Sequence, residues 1–536
     1  MSELRLVPGA LLVWGVALAV LLDAPLLALA GVLALTTALV VLRHPGQALL
    51  CLALGAAAGL TAGWRQRRAA VWEAPGQTTG TVITTGTGHA RVDLPGHPTA
   101  LTVFTDSAPE PGSRVLVEAT WSASGHAGVG TLVGDGELTV VEGPQGMNLV
   151  AATVREALRS AVDATVGESS RGLVPGMVLG DVGAQSDAEK QMYIDTGLSH
   201  LSAVSGANVA IITSVAVIAC RLLTLGPRVQ VVAAVLTLGG FVGLVGTEPS
   251  VLRASVTGLV GLLAVLASTR LEPVHGLCLA VIGLVLWDSD LAASFGFALS
   301  VAATAGIIAL HPLLFRPLAR TGLPEILVRA LAVAISADIV TLPIIAFMAG
   351  EVSVVSVLAN ILVAPAVAPV TVLGLVAAAL ALLPGPLAWL PLKLLEPCTW
   401  WIHAVAEWCA GLPVATAPAE PLWVLIAYGW IIAGIVGGHP AKAVVVLLTW
   451  WVCSADLTRP PPEVPLDGPD VHVVETVEDV RRAPPGTRAI VVLDPSGGPA
   501  QRPTVTRDGV PVLFPHRDGE VTLHTDGTQH ARDGRF

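Results

Sequence analysis

Apolar residues fall along this chain in long unbroken runs with short polar breaks, not in the strict alternation of a half-buried strand. Three runs occupy residues 8 to 63, broken at Asp23-Ala24-Pro25 and at Arg43-His44-Pro45-Gly46, and predict three packed helices. Runs return at about 197–224, 229–246, 250–268, 274–287, 291–311, 330–349 and 353–383. A Trp-bearing semipolar segment (386–410) and two final runs near 421–437 and 440–453 follow. A stretch of about 20 apolar residues crosses a hydrocarbon core of about 30 Å. The pattern therefore predicts a polytopic α-helical membrane protein of about ten to twelve spans. Pro365 and Pro369 interrupt the 353–383 run and predict a broken or paired span.

Two regions depart from the pattern before the main block of spans. Between about 72 and 145, Gly, Thr, Pro and charge surround short alternating stretches: Gly80–Thr84, Leu101–Thr105, Arg114–Glu118 and Glu137–Val141. With turn signals such as Gly134-Asp135-Gly136, they predict a small β-barrel or sandwich. From 148 to 196, Val154, Leu158, Ala161 and Val162 recur at helical spacing between Arg155, Glu156 and Arg159, as in an amphipathic helix lying at an interface. The expected organisation is an N-terminal helical segment (1–71), a β domain (72–146), interfacial helices (147–196), a block of spans (197–453) and a soluble C-terminal region (454–536). That last region is rich in Pro and Gly, with strand-like pieces at Val471–Val474, Ala489–Leu493, Val510–Phe514 and Val521–His524. A small folded module and a partly disordered tail are equal expectations there.

Composition sharpens this picture. The 536 residues are 53% hydrophobic and only 13% charged, with mean hydropathy +0.73, which excludes a wholly soluble protein. The net charge of −11 argues against holding nucleic acid by bulk electrostatics. Only Lys190, Lys393 and Lys442 are lysines among the 29 basic residues. Cys51, Cys220, Cys278, Cys398, Cys409 and Cys453 lie in or beside apolar runs without CxxC spacing, and read as small buried hydrophobes rather than disulfides or metal ligands. No metal or cofactor is expected, and no cleavable signal peptide stands out. Arg221, Arg228, Arg270, Arg316, Arg320 and Arg329 occupy alternate loops, while Glu248, Asp288, Asp290 and Glu351 occupy the loops between. The positive-inside rule makes the arginine loops cytoplasmic and the β domain external. The cluster Arg65-Gln66-Arg67-Arg68 then also falls outside, against the rule.

The densest polar positions inside an apolar run lie in Gly197-Leu-Ser-His-Leu-Ser-Ala-Val-Ser-Gly-Ala-Asn-Val209. On a continuous helix, Ser202, Gly206 and Ala210 form one small-residue ridge, and Ser205 and Asn208 share a polar face. Interhelical hydrogen bonding explains such residues as well as a functional path does. Asp195 reads as the cap that starts this span. The segment resembles the signature of the ComEC competence proteins, polytopic channels for transforming DNA. Further stretches resemble that family in order and spacing over about 170 to 384: Leu173–Asp181, Gly246–Ala254, Ser294–Ser300, Ala337-Asp338 through Leu342-Pro343 to Phe347, and Val357–Pro365, which contains Asn360.

The resemblance implies a channel that passes single-stranded DNA across the bacterial cytoplasmic membrane, embedded in lipid, with an external β domain of OB-like character. It points to His200, Ser205, Gly206 and Asn208 as lining or shaping groups, with Arg253 as a phosphate contact. A salt bridge from Arg253 to Glu248 is the competing reading, and Asp338 is a partner or gate. On the β domain, Arg91, Arg114, Phe104 and Trp121 are the DNA-binding candidates, though basic and aromatic residues are sparse enough that a structural or receptor-docking role is equally expected. An external DNA receptor with helix-hairpin-helix repeats, a cytoplasmic helicase or ATPase motor and a separate nuclease are implied partners, and a homo-oligomer is compatible. No Walker pattern occurs in this chain.

Two departures from the family matter. Asn208 stands where many members carry a second His, so a proton-dependent role at that position is in doubt. The metallo-β-lactamase-like domain of many members needs an HxHxDH run that is absent, and His516, His524, Asp526 and His530 read as surface residues rather than nuclease ligands. The competing classes are an ion-coupled transporter of a small solute, which predicts inverted repeats that are not found, and an intramembrane serine hydrolase. The hydrolase requires His200 to meet Ser205, about 140° apart on one helix, unless that helix breaks.

Overall fold

The computed structural model describes residues 4–86, 88–202, 204–246, 249–266, 272–412 and 415–437, and, discontinuously, residues between 439 and 531. Two compact units divide at Leu448. In the first, helices α1 (Val7–Leu21), α2 (Pro25–Val41) and α3 (Pro45–Val71) match the three runs at the N-terminus. Each begins with Pro in its first turn, where the missing N–H is one the helix leaves unpaired anyway. Five strands follow: β1 (Gln77–Gly86), β2 (His89–Asp93), β3 (Leu101–Phe104), β4 (Arg114–Ala123) and β5 (Leu132–Glu142). They close into a barrel of order β1-β2-β3-β5-β4, antiparallel except between β3 and β5. Alternation builds it: Ala90, Val92, Leu101 and Val103 point inward, and His89, Arg91 and Phe104 point out.

The chain then runs through α4 (Met147–Thr165), α5 (Glu168–Arg171), α6 (Leu173–Leu179), α7 (Asp187–Asp195) and α8 (Ser199–Ser202) into long helices. These are α9 (Gly206–Leu222), α10 (Pro227–Val245), α11 (Pro249–Leu266), α12 (Pro273–Trp287), α13 (Phe295–Ala319), α14 (Glu325–Ala349), α15 (Ser356–Ala381), α16 (Trp389–Ala410) and α17 (Pro421–Val436). Short strands β6 (Glu351–Ser353) and β7 (Thr416–Pro418) pair across the α14–α15 and α16–α17 turns. Among the described residues five helices are long and apolar enough to cross a membrane, and five apolar helices are shorter. The protein is a polytopic membrane protein.

The prolines of α15 do not break it. Pro365 removes the amide that would serve the Ile361 carbonyl, and the Trp401 indole of α16 donates to the adjacent Leu362 carbonyl at 2.8 Å. A neighbouring helix thus supplies a donor where the ladder is weakened, and one 26-residue helix results. On α4 the buried residues are Ala151, Val154, Leu158 and Val162, the expected face. Its polar side binds other elements: Arg159 pairs with Asp181 at 2.6 Å, and Arg155 donates to the Leu244 carbonyl at the end of α10 at 3.0 Å. Where α13 crosses α14, a β-carbon at Gly306 would collide with the Ser336 carbonyl, so glycine sets the closeness of that crossing.

The barrel is tied to the helices at one corner. Arg65, near the end of α3, pairs with Asp288, lies 3.7 Å from Asp290, and donates to the Ser289 hydroxyl (3.3 Å) and the Pro98 carbonyl (3.0 Å). Asp290 in turn accepts the Val129 amide of the barrel at 2.6 Å. Of the three arginines that ran against the loop rule, Arg65 is therefore neutralised by acidic residues at the same end of the helices. His97 is buried beside this corner, its ring edge-on to Trp72 with centroids 5.0 Å apart and its Nδ1 2.6 Å from the Thr99 carbonyl. Burial pushes its pKa below the ordinary 6.5, partly offset by that hydrogen bond.

The second unit, considered by itself, holds β8 (Val471–Val474), β9 (Ala489–Val492), β10 (Thr504–Val505) and β11 (Pro511–Leu513) in a sheet of order β10-β11-β9-β8. The strand pair β12 (Val521–Leu523) and β13 (Gln529–Ala531) completes it. Every residue of β9 is buried, with parallel neighbours on both sides.

Arg65→Ala should destabilise barrel attachment by about 2 kcal/mol, less than the roughly 3–5 kcal/mol of a fully buried pair because Asp288 remains half solvated. Faster proteolysis of the segments flanking the barrel is the readout. Because the folded pKa of His97 is lowered, the unfolded chain binds the extra proton. Barrel stability should be full above about pH 6.5 and fall on acidification through the folded pKa, and His97→Asn should flatten that dependence in thermal melts.

Candidate functional site

The signature segment is not one helix. Gly197, at φ +69°, reverses the chain after α7, and Asp195 ends α7, accepting from Gln191 at 2.7 Å, rather than starting the next span. After the single turn of α8, Ser205 is extended (φ −100°, ψ 164°) and α9 begins at Gly206. The ridge and polar face expected of a continuous helix are consequently absent. Ser205 sits at the cap position but its side chain makes no cap bond, which leaves the first-turn amides of α9 without that partner.

Arg253 on α11 meets this helix start. Its Nε donates to Ser300 Oγ on α13 at 2.7 Å, and only 8% of the residue is exposed. A β-carbon on Gly206 would lie 2.8 Å from Arg253 Nη2, so glycine permits the guanidinium to approach the end of α9. Among the described residues no carboxylate pairs with Arg253, and Glu248 lies outside them. A buried guanidinium beside a positive helix end forms a locus that favours an anion.

Asn208, 3% exposed, is committed to packing. Its Nδ2 donates to the Met177 carbonyl of α6 at 3.0 Å, and its Oδ1 accepts from Thr371 of α15 at 3.2 Å. A second polar locus lies on α14 and α15, where Ser356 donates to Asp338 Oδ2 at 2.7 Å. Asn360, one turn beyond Ser356, is half-buried. Asp338 therefore bonds to Ser356 and forms no ion pair with Arg253. His200 is exposed, with Nδ1 3.1 Å from the Gly197 carbonyl, and makes no hydrogen bond to Ser205 although the helix does break between them. His403 is near the Tyr193 hydroxyl instead, at 3.5 Å.

The four barrel candidates separate. Arg91 and Phe104 share the outer face of the β2–β3 pair, with Phe104 half exposed. Arg114 lies on β4, 3.9 Å from Glu142, and Trp121 is turned inward, its indole donating to the Pro75 carbonyl at 3.0 Å and its ring edge-on to Trp72.

Residues 177–441, just under half of the chain, match the family model described as Competence protein. That stretch contains the Met177–Asn208–Thr371 knot, Arg253 with Ser300, and Asp338 with Ser356. That stretch is what the chain shares with the competence protein family. The ComE operon protein 3 of Bacillus subtilis (strain 168) is 25% identical over 310 residues, which span 57% of this chain and 36% of that relative's length. No solved structure matches the chain.

In this competence-family segment the sequence reading missed Ser300, Ser356 and Thr371, the hydroxyl partners of the ionisable and amide groups. Ser300 closes the Ser294–Ser300 stretch, so its place in a family-like motif was the available signal. Among the described residues, no group of three or more His, Cys, Asp or Glu is placed to hold a metal. The side chains of His524, Asp526 and His530 lie outside that description. Asn208→Leu leaves the buried Met177 carbonyl without its donor, and a loss of about 1–3 kcal/mol is expected, read as a lower melting temperature in detergent.

Proposed function

We propose that the protein conducts single-stranded DNA across the bacterial cytoplasmic membrane, and that it acts as a conduit rather than an enzyme. The observation that carries this reading is Arg253, a buried guanidinium without a described counter-charge at the uncapped start of α9 in the competence-family segment. A charge in that setting is costly unless an anion visits it, and a passing phosphodiester is such an anion. A single site of this kind attracts a phosphate without trapping it, which suits a conduit that must release its cargo. The acidic turn with Asp288 and Asp290 lies against the barrel, and the loop charges assign that turn to the outside, which supports an external barrel.

The strand order of the barrel supports an OB-type module, and the β2–β3 face with Arg91 and Phe104 is the surface such modules use for single strands. Delivery by an external receptor with helix-hairpin-helix repeats, a cytoplasmic helicase or ATPase motor, a separate nuclease and a homo-oligomeric assembly belong to the same proposal.

Deletion should abolish natural transformation while DNA capture at the cell surface persists. Arg253→Ala, at normal abundance, should reduce transformants by roughly tenfold to a hundredfold, the equivalent of one charge-assisted contact of about 1.5–3 kcal/mol. Normal yield in the deletion strain would reject the conduit, and normal yield with Arg253→Ala would reject the role of the guanidinium.

A further inference from the structure

The last turns of α3 carry a basic and aromatic surface that the helical interior does not use. Trp64, Arg67, Arg68 and Val71 line an open cleft of about 660 Å³ together with Trp72 and Glu73, which follow α3 directly, and Gly96 of the barrel. Trp64 is 59% exposed, and the Arg68 guanidinium lies 5.4 Å from its ring centre. Trp72 is held fixed, its indole donating to the Pro95 carbonyl at 3.2 Å and its ring edge-on to His97 and Trp121. Arg65 is spent on the Asp288 corner, whereas among the described residues neither Arg67 nor Arg68 makes an ion pair.

Two guanidinium groups without ion pairs, one of them against the exposed indole, recognise a flexible polyanion that carries flat rings: phosphates take the arginines and a base stacks on the indole. Trp and Arg at the end of a span also suit a lipid headgroup. Position favours the nucleic acid. Arg67 and Arg68 lie about 3–4.5 Å further along the helix than Arg65, on the barrel side of the polar layer that Arg65 makes with Pro98 and Asp288. The cleft runs along the end of α3 past Val71 into the Trp72-Glu73 connection to the barrel and reaches the barrel at Gly96. We infer that this cleft is a landing site for single-stranded nucleic acid on its way to the helical body, with Arg67 and Arg68 on phosphates and Trp64 under a base. The inference rests on the conduit reading above and adds a site to it.

The test uses the full-length protein in phosphatidylcholine nanodiscs and a labelled oligothymidylate of about 15 nucleotides, with affinity followed by anisotropy across a salt series. In the Arg67→Gln/Arg68→Gln variant the slope of log affinity against log salt should fall by about 1.4, from two phosphates at about 0.7 each. Trp64→Leu should weaken binding by roughly fivefold or more with the slope unchanged. If wild type binds and the double variant keeps both slope and affinity, the cleft is rejected and the conduit reading stands. Loss of phosphatidylglycerol retention alone, with DNA binding intact, would assign the cleft to lipid and reject the proposal. Absence of salt-dependent binding in wild type would reject the cleft and the conduit together.

Discussion

The helical body is organised around one buried amide. In a bilayer a polar group has no water to fall back on, so each must find its partner inside the protein. Asn208 spends its donor on the backbone of α6 and its acceptor on a hydroxyl of α15, which fixes α9 against two elements distant in sequence. That fixation sets where α9 starts, two residues earlier at Gly206, and so where its positive end points. Arg253 is then brought to that end by Ser300 on another helix. Satisfied polarity at Asn208 and unsatisfied charge at Arg253 lie within one turn of α9. The first rigidifies the frame, and the second is the property the frame holds in place.

A comparable division of labour governs the barrel. Asp290 accepts a barrel amide while facing Arg65, so one side chain joins α3, the turn after α12 and the barrel. The Arg65 charge is consumed in structure. Arg67 and Arg68, two and three residues later, are left to the surface. Adjacent residues of one basic cluster thereby take different roles, decided by which helix face meets the acidic corner.

Much of the fold was legible in the sequence because membrane helices and half-buried strands leave strong periodic signals. The three N-terminal helices, the amphipathic face of α4 and four of the five barrel strands follow the pattern. β2 was missed: His89–Asp93 is short, with polar residues on its outer face, and owes its place to pairing with β1 and β3. Pairing is also why the barrel order could not be read, since β3 meets β5 across β4 in sequence. The prolines of α15 misled because the compensating donor, Trp401, lies on another helix. The break at Ser205 was the costlier miss. A continuous helix would place Ser205 and Asn208 on one face, whereas Ser205 is extended ahead of α9 without capping it and Asn208 is buried within it. Arg253 was legible as an unusual charge, but its neighbours were not, because Ser300 resembles the inexpensive hydroxyls common in apolar spans.

The central claim is that Arg253 acts on the phosphodiester charge of a strand in transit. Its most direct test is import into proteoliposomes of an ordinary single strand and of the same strand with an uncharged methylphosphonate segment, each driven by wild type and by Arg253→Ala. The account predicts that the substitution slows the charged strand and leaves the uncharged segment unaffected. An equal loss for both strands would make Arg253 a structural residue and contradict the account.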